Sequence, residues 1–437
     1  MSTNATEIWT KSKLLIKAGI IFILVLLLLI PTYSVKELIA EREARQKEAI
    51  AEVSQKWAGK QSITGPLLVI PYWQTITDTV NKTRVVKHTA FILPTDLAIQ
   101  SVVVPQEKHR GIYKVMLYTT HLYITGNFNN ISIESLKIPA ENVVWKEAYL
   151  QLGITDTKGL DEELKMSWND TTLTFAPGAS ATGGRNGLTA PLAIHGIEDL
   201  KNTTFSTNIH LSGSEQLLFN PIGKTTTVTV KSNWPHPSFT GTLLPQSTSV
   251  KDSGFTATWK SLAYKRDFPQ QFKEEDISGN SYNLSSAAFG VDLFVPVNGY
   301  QKTMRSIKYA ILCIALTFTA FFLIEMINKV FVHPFQYGLI GLALVLFYTL
   351  LLSFSEYTGF NIAYAIASVC TIGLIGWFVS GIVSSNRLSL LLSMVLLLLY
   401  SYVFTILQLQ DYALLVGSIG LFLTLAVVMY FSRKIQW

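Results

Sequence analysis

The sequence predicts a multi-pass membrane protein of mixed α and β structure: an N-terminal signal-anchor helix, a large antiparallel β-sandwich-type periplasmic domain and a C-terminal bundle of five transmembrane helices. Three observations lead there. Apolar residues make up 49% of the 437 and mean hydropathy is positive, which is unusual for a soluble chain. They are clustered, at residues 14–35 and again between 307 and 431. The long stretch between the clusters has ordinary globular composition and alternates apolar with polar residues at period two. The chain is also too long for one ordinary domain.

Six runs approach the ~20 apolar residues that a membrane helix needs: 14–35, 307–327, 337–354, 362–383, 388–407 and 412–431. The first outruns the ~7–15 residues of a cleavable signal's apolar core, and "PTYSVK" is a poor small-x-small cleavage site, so it reads as an uncleaved anchor. Lys11, Lys13 and Lys17 precede it, which places the N-terminus in the cytoplasm. Alternation then puts Lys329, His333, Arg387, Arg433 and Lys434 on the cytoplasmic side, and the short outer loops hold Glu356 and Asp411 with no Lys or Arg. Lys302, Arg305 and Lys308 are outer exceptions beside a long translocated domain. The expected location is a bacterial inner membrane, with both termini cytoplasmic and the polar domain periplasmic.

The expected division is residues 1–35 for the cytoplasmic N-terminus and first span, 36–58 for a helical stalk, 59–306 for the β-rich domain and 307–437 for the five-helix bundle. The stalk, "SVKELIAEREARQKEAIAEVSQKW", is rich in helix formers and pairs Glu43 with Lys47 and Glu52 with Lys56 at i, i+4. Pro31 is expected to kink the helix and Gly59 to stop it. Beyond it, "YKVMLYTTHLYITGNF", "FSTNIHLSGS" and "TTTVTVK" alternate as half-buried strands do, with turn signals between them. The size leaves room for two packed sub-units, with "SWNDTTLTFAPG" and "NWPHPSFTGTLLP" as weakly similar pieces.

Residues 36–306 carry 27 Lys and Arg against 25 Asp and Glu, so no basic patch marks a nucleic-acid binder. Both cysteines, Cys313 and Cys370, fall in apolar runs, so no disulfide framework holds the polar domain. There is no HExxH, CxxC, G-x-S-x-G or GxxxxGK[ST] motif, and no two of the seven histidines lie four apart. No catalytic residue, cofactor or metal is expected, and the chain is read as not an enzyme. "PGASATGGRNG" lacks the Lys-Ser/Thr end of a phosphate loop and reads as a hairpin loop.

Three groups of residues remain as candidates. Trp234, Pro235, His236, Pro237 and Phe239 in "NWPHPSF" form an extended aromatic segment, either an edge strand packing into the sandwich or a docking surface for a partner or lipid. Glu325, Glu356 and Asp411 are membrane-edge carboxylates. Glu325 sits four residues before Lys329, its expected ion-pair partner, and Asp411 reads as the N-cap of the sixth span rather than a proton carrier. Glycines recur three apart, Gly338 with Gly341, Gly373 with Gly376 and Gly417 with Gly420, as helix-packing contacts.

Five segments together resemble the CreD family of bacterial inner membrane proteins: "WAGKQSITGPLLVIPY", "SNWPHPSFTGTLLP", "FGVDLFVPVNGYQKTMRSIKYA", "HPFQYGLIGLALVLFYTLLLSFSEYTGFNIAY" and "LQLQDYALLVGSIGL…MYFSRKIQW". The resemblance covers nearly the whole chain. It implies a role in cell envelope integrity and in an envelope stress response, and it brings no catalytic residues to carry over. The sequence departs from the family pattern at Gln410, where an acidic residue is common, and at Gly338, where a larger apolar residue is common. The leading reading is a non-enzymatic envelope protein that contacts membrane lipids and an unidentified envelope partner, with homo-oligomerisation left open. A transporter or channel formed by the bundle, or a lipid-handling periplasmic module, are the alternatives.

Overall fold

The structure, a computed structural model, describes residues 3–77, 83–129, 131–178, 187–278, 282–293, 299–328, 332–382, 386–409 and 412–433. It divides into two compact units. One comprises residues 1–47 and 297–437, the other residues 48–296.

The first unit is helical. Helix α1 (Thr3–Trp57) runs unbroken through Pro31, where the Thr32 hydroxyl donates to the Leu28 carbonyl at 2.8 Å. Its C-terminal part carries the ion pairs expected of the stalk, Glu43 with Lys47 at 3.1 Å and Glu52 with Lys56 at 2.7 Å. The remaining spans are α4 (Ala310–Asn328), α5 (Pro334–Thr358), α6 (Phe360–Ile382), α7 (Asn386–Gln408) and α8 (Ala413–Ser432). With α1 they make six helices long and apolar enough to cross a membrane. His333 starts α5 by a capping box. Its ring nitrogen accepts from Phe335 N, and the Gln336 side chain accepts from His333 N, with Pro334 at the first helical position.

Residues 299–306 correct the expected domain limits. They belong to a short helix, α3 (Gly299–Ile307), which is part of the helical unit and not of the β-rich domain. Its mean composition is polar, yet Tyr300, Thr303 and Ile307 recur at i, i+3 and i+7 and are buried. A stripe this narrow in a polar nonapeptide escapes a search for long apolar runs.

The second unit holds two sheets. The nine-stranded sheet contains β1 (Gln61–Thr77), β2 (Thr83–Ile92), β5 (Tyr149–Ile154), β8 (Ala176–Gly178), β9 (Gly187–Pro191), β11 (Gln216–Phe219), β13 (Pro237–Gly241), β16 (Gln271–Lys273) and β17 (Phe289–Leu293). Its main order is β13-β17-β11-β1-β5-β9-β8, with β2 pairing β1 and β16. The eight-stranded sheet contains β3 (Asp96–Arg110), β4 (Tyr113–Phe128), β6 (Lys165–Trp168), β7 (Thr171–Thr174), β10 (Thr203–Ser214), β12 (Thr225–Ser232), β14 (Ser247–Lys251) and β15 (Gly254–Leu262), in the order β14-β15-β12-β3-β4-β10-β6-β7. A single turn of helix, α2 (Glu274–Ser278), follows β16.

Among the described residues every pairing is antiparallel except two, β1 with β11 and β3 with β12. These parallel contacts refine the antiparallel expectation; each joins strands far apart in sequence. The chain changes sheet at both edges, from β7 to β8 within "SWNDTTLTFAPG" and from β13 to β14 at the end of "NWPHPSFTGTLLP". The sheets pack face to face: Trp259 of one stacks on Phe289 of the other at 5.7 Å, and Phe239 meets Phe255 and Trp259 edge-on. The buried apolar residues of both sheets form one cluster, so a single core serves the whole unit. Both cysteines lie in the helical unit and are free.

Candidate functional site

The helical unit has two clusters of charged side chains near opposite ends of α5. At the first, Glu325 in the last turns of α4 is 6% exposed. Its carboxylate accepts from the Lys17 ammonium of α1, from Val332 N at 3.2 Å and from the Tyr337 hydroxyl at 2.7 Å. Lys17 also donates to the Val332 carbonyl at 2.8 Å and lies 6.0 Å from the centre of the Tyr337 ring. The sequence points to Lys329 as a partner of this acid. Lys329 lies outside the described residues, and the acid is held by three other elements of the fold. The ring of Tyr337 packs against Phe318 and Phe321, which close the apolar side of the cluster.

At the other end, Glu356 in the last turn of α5 accepts from the Tyr300 hydroxyl of α3 at 2.8 Å and lies 3.9 Å from the Arg42 guanidinium of α1. A second polar set stands among α3, α6 and α7. Lys302 donates to the Gln408 side-chain oxygen at 3.3 Å, and the Gln408 amide donates to Asn361 at 2.7 Å. Lys302, a charge exception in the sequence, thus has an acceptor beside α7. Gln410 and Asp411, with the predicted N-cap, lie outside the described residues.

Between these ends the helices meet through aromatic rings. Phe347 touches Tyr348, Tyr364 and Tyr400, with ring centres 4.6–5.3 Å apart. The Tyr364 hydroxyl donates to the Tyr400 carbonyl at 2.8 Å, and Phe404 lies on Tyr364. The glycines divide by face. A methyl group at Gly341 would overlap Leu28 of α1 and Phe318, one at Gly376 would press on Ser393, and one at Gly420 would strike the Tyr402 ring. Gly338, Gly373 and Gly417 face open space, so each predicted pair supplies one contact and not two. The period of 3.6 explains this: residues three apart diverge by about 60° around the helix.

In the sheet unit, β13 is the last strand of its sheet and Phe239 packs into the core from it. Trp234 is half-buried against the same core, and its indole N–H donates to the His236 carbonyl at 3.0 Å. The indole therefore closes its own loop, with Pro235 half-buried and His236 exposed beside it. The perturbed tyrosines and Arg266 of this unit owe their shifts to burial first. It pushes the Tyr72 phenol up to about 12, with Glu275, Glu274 and Asp276 adding to the effect, and lowers the Arg266 guanidinium to about 10. Among the described residues no group of three His, Cys, Asp or Glu side chains has the geometry of a metal site.

Six apolar helices carrying a two-sheet domain between the first and the rest define a multi-pass membrane protein of mixed α and β structure. A family model described as "Inner membrane protein CreD" matches residues 13–437. The Inner membrane protein CreD of Escherichia coli (strain K12) is 34% identical over 433 residues, which cover 98% of this chain and 94% of that relative. The chain belongs to the CreD family of inner membrane proteins.

Proposed function

We propose that this is a non-enzymatic protein of the inner membrane that supports cell envelope integrity and the envelope stress response by holding its sheet domain in the periplasm, with both chain termini in the cytoplasm. The carrying observation is the sorting of charge along the helices. Lys17 and His333 lie toward one end of α5, and Arg387 begins α7. Glu356 and Gln408 lie at the far ends of the same two helices, and the cations beside them, Arg42 and Lys302, come from the stalk and from α3, which flank the long sheet domain, and not from a short loop. Basic residues mark the cytoplasmic side of short loops. The aromatic filling among α5, α6 and α7 favours a support over a transport path, because a path needs facing polar groups or broken helices at mid-membrane. The direct contact between Trp259 and Phe289 likewise leaves the sandwich interior to side chains and not to acyl chains.

Reporter fusions test the orientation. Fusions at residue 200 and in the loop after Glu356 should report periplasm, and fusions after Arg387 and at Trp437 should report cytoplasm. A cytoplasmic signal at residue 200 overturns the proposal. Deletion of the gene should raise sensitivity to detergents, and restoration of the chain should reverse it.

A further inference from the structure

The outer face of the eight-stranded sheet carries two histidines in contact. His121 of β4 and His210 of β10 stand directly opposite each other in the antiparallel register. Their strand neighbours Leu122, Ile209 and Leu211 are buried, so the period of two turns both imidazoles outward, where they are exposed. Side chains opposed in this way start from Cβ atoms about 4.5–5.5 Å apart. Here the ring centres are 4.2 Å apart and the ring planes lie at 80°. His109 and His195 of the same unit stand instead beside single carboxylates, those of Glu107 and Asp199.

A carboxylate stands behind one of the two rings. The bridge between Leu160 and Leu211 brings the chain before β6 alongside β10, and Glu162 Oε1 lies 3.2 Å from His210 Nδ1. An ionised carboxylate only accepts, so Nδ1 donates and carries the proton. That leaves the Nε2 lone pair of the neutral ring free to bind an ion. A carboxylate on the other ring nitrogen is the usual support of a metal-binding histidine. His121 makes no hydrogen bond among the described residues, so its ring is free to turn. The last side-chain torsion of histidine is broad, and its axis runs through the ring. The nitrogens therefore swing while the ring centre stays in place.

The distance between centres decides which ion fits. An ion about 2.1 Å from a nitrogen of each ring lies about 3.2 Å from each ring centre. Centres 4.2 Å apart then subtend about 80° at the ion. That is close to the roughly 90° between neighbouring ligands of a square-planar or octahedral ion, and well below the roughly 110° of a tetrahedral one. Nitrogen ligands in a tetragonal arrangement select Cu2+ or Ni2+, whereas tetrahedral sites select Zn2+. We propose that His121 and His210 bind one divalent ion of the Cu2+ or Ni2+ class as neighbouring ligands, with Glu162 supporting His210. Among the described residues no third His, Cys, Asp or Glu converges with them, so water completes the shell. Two protein ligands on an exposed face leave positions open to exchange, which suits taking up and releasing an ion and not holding the fold together.

Titration of the full-length chain, free of any histidine tag, with Cu2+ in detergent micelles tests it. Electron paramagnetic resonance and spin-echo modulation count the imidazoles on the ion. The first equivalent should show two. His121→Gln and His210→Gln should each leave at most one and weaken binding more than any change behind the rings. Glu162→Ala should keep both imidazoles and weaken binding about tenfold, the low end for an outer partner because this carboxylate is 71% exposed. His195→Gln and His236→Gln should change neither the spectrum nor the affinity. Both ligands are exposed, so an unchanged melting temperature should accompany the His121→Gln/His210→Gln variant. A two-imidazole signal that survives that double change overturns the proposal, as does a first equivalent with one imidazole or none. Zn2+ bound as tightly as Cu2+ refutes the angle argument and with it the assigned class of ion.

Discussion

Replacing Glu325 by alanine should destabilise the helical unit by about 3 kcal/mol. The carboxylate is 6% exposed and accepts three hydrogen bonds, from Lys17, Tyr337 and Val332. Its removal takes the carboxylate from the Lys17 ammonium and leaves the Tyr337 hydroxyl without its acceptor. Breaking a buried pair from one side costs roughly 3–5 kcal/mol. The lower end applies because Lys17 keeps 16% of its exposure and so recovers part of its hydration. Removing both charges has a different outcome. In Lys17→Met/Glu325→Leu no ion is left unpaired, and such replacements are often neutral, so the double variant should lie within about 1 kcal/mol of the parent. Tyr337→Phe should cost roughly 2 kcal/mol, the value of a hydrogen bond to a charged group. Reversible unfolding in mixed micelles, read by near-ultraviolet circular dichroism, gives the cycle. If Glu325→Ala costs less than about 1 kcal/mol, or if the effects of Lys17→Met and Glu325→Leu made singly simply add in the double variant, the cluster is not a coupled buried ion pair and the reasoning fails.

Two further expectations concern packing and pH. Gly341→Leu should destabilise by about 1–3 kcal/mol, the usual cost of overpacking, because the added carbons meet Leu28 and Phe318. Gly338→Leu faces open space and should change stability by about 0.5 kcal/mol or less. The same unfolding assay separates them, and equal effects would remove the packing distinction. For Tyr72, a phenol raised from 10.0 to about 12 holds its proton more tightly when folded. Its contribution is complete below pH 10 and is lost as pH rises through about 12. The loss is at most about 3 kcal/mol and is reduced by the water that screens the partly exposed hydroxyl. Tyr72→Phe should flatten the fall in stability between pH 10 and 12 and change little at neutral pH, where its hydroxyl makes one long bond, 3.4 Å, to Gln74. An unchanged alkaline slope would contradict this, provided that Tyr118 and Tyr149, which burial also raises, are left intact.

What the sequence revealed depended on the length of each signal. Six long apolar runs and the ion-pairing stalk were legible because each repeats its pattern over many residues. The period-two strands were legible for the same reason, as in β10, where Phe205, Thr207, Ile209 and Leu211 point inward. The parallel pairings were not, because β1 meets β11 across some 150 residues and no local pattern encodes a partner at that distance. The partner of Glu325 was hidden in the same way. A rule about i, i+4 neighbours selects Lys329, which lies outside the described residues, and gives no sign of Lys17, 308 residues away, whose ammonium reaches the carboxylate. For the glycines the spacing was visible, but not which member of each pair faces a neighbour. Within an apolar helix every face is apolar, so no change of character marks the contact side.

That last difficulty has a solution in α1, where polar residues at the ends of the span fix the face. Between lipid-bathed helices the hydrophobic effect gives no driving force, since lipid tails are as apolar as leucine. Alignment must then come from packing and polar contacts. Most large side chains of the α1 span, Phe22, Ile23, Leu26 and Ile30 among them, are exposed in the helical unit, and Ile21, Leu28, Val35 and Ile39 are buried. Ile21, Leu28 and Val35 fall seven apart, and Arg42, which reaches Glu356, continues the series. Lys17, Leu28 and Arg42 are separated by 11 and 14 residues, about three and four turns, so they lie within roughly 40° of one face. The first meets Glu325, the second sits over Gly341 and the third approaches Glu356. From Lys17 to Arg42 is about 37 Å along the axis, somewhat more than the ~30 Å of hydrocarbon it must cross. The helix is thus held at both rims and once between them. Inserting one alanine between Lys17 and Leu28 rotates the part before it by about 100° relative to the rest. Lys17 and Leu28 then cannot both keep their contacts, whichever part stays seated. Seven residues inserted at the same place nearly restore the face but shift Lys17 by about 10 Å along the axis. Register in this helix is therefore set jointly by angle and by length, and neither insertion can satisfy all three contacts.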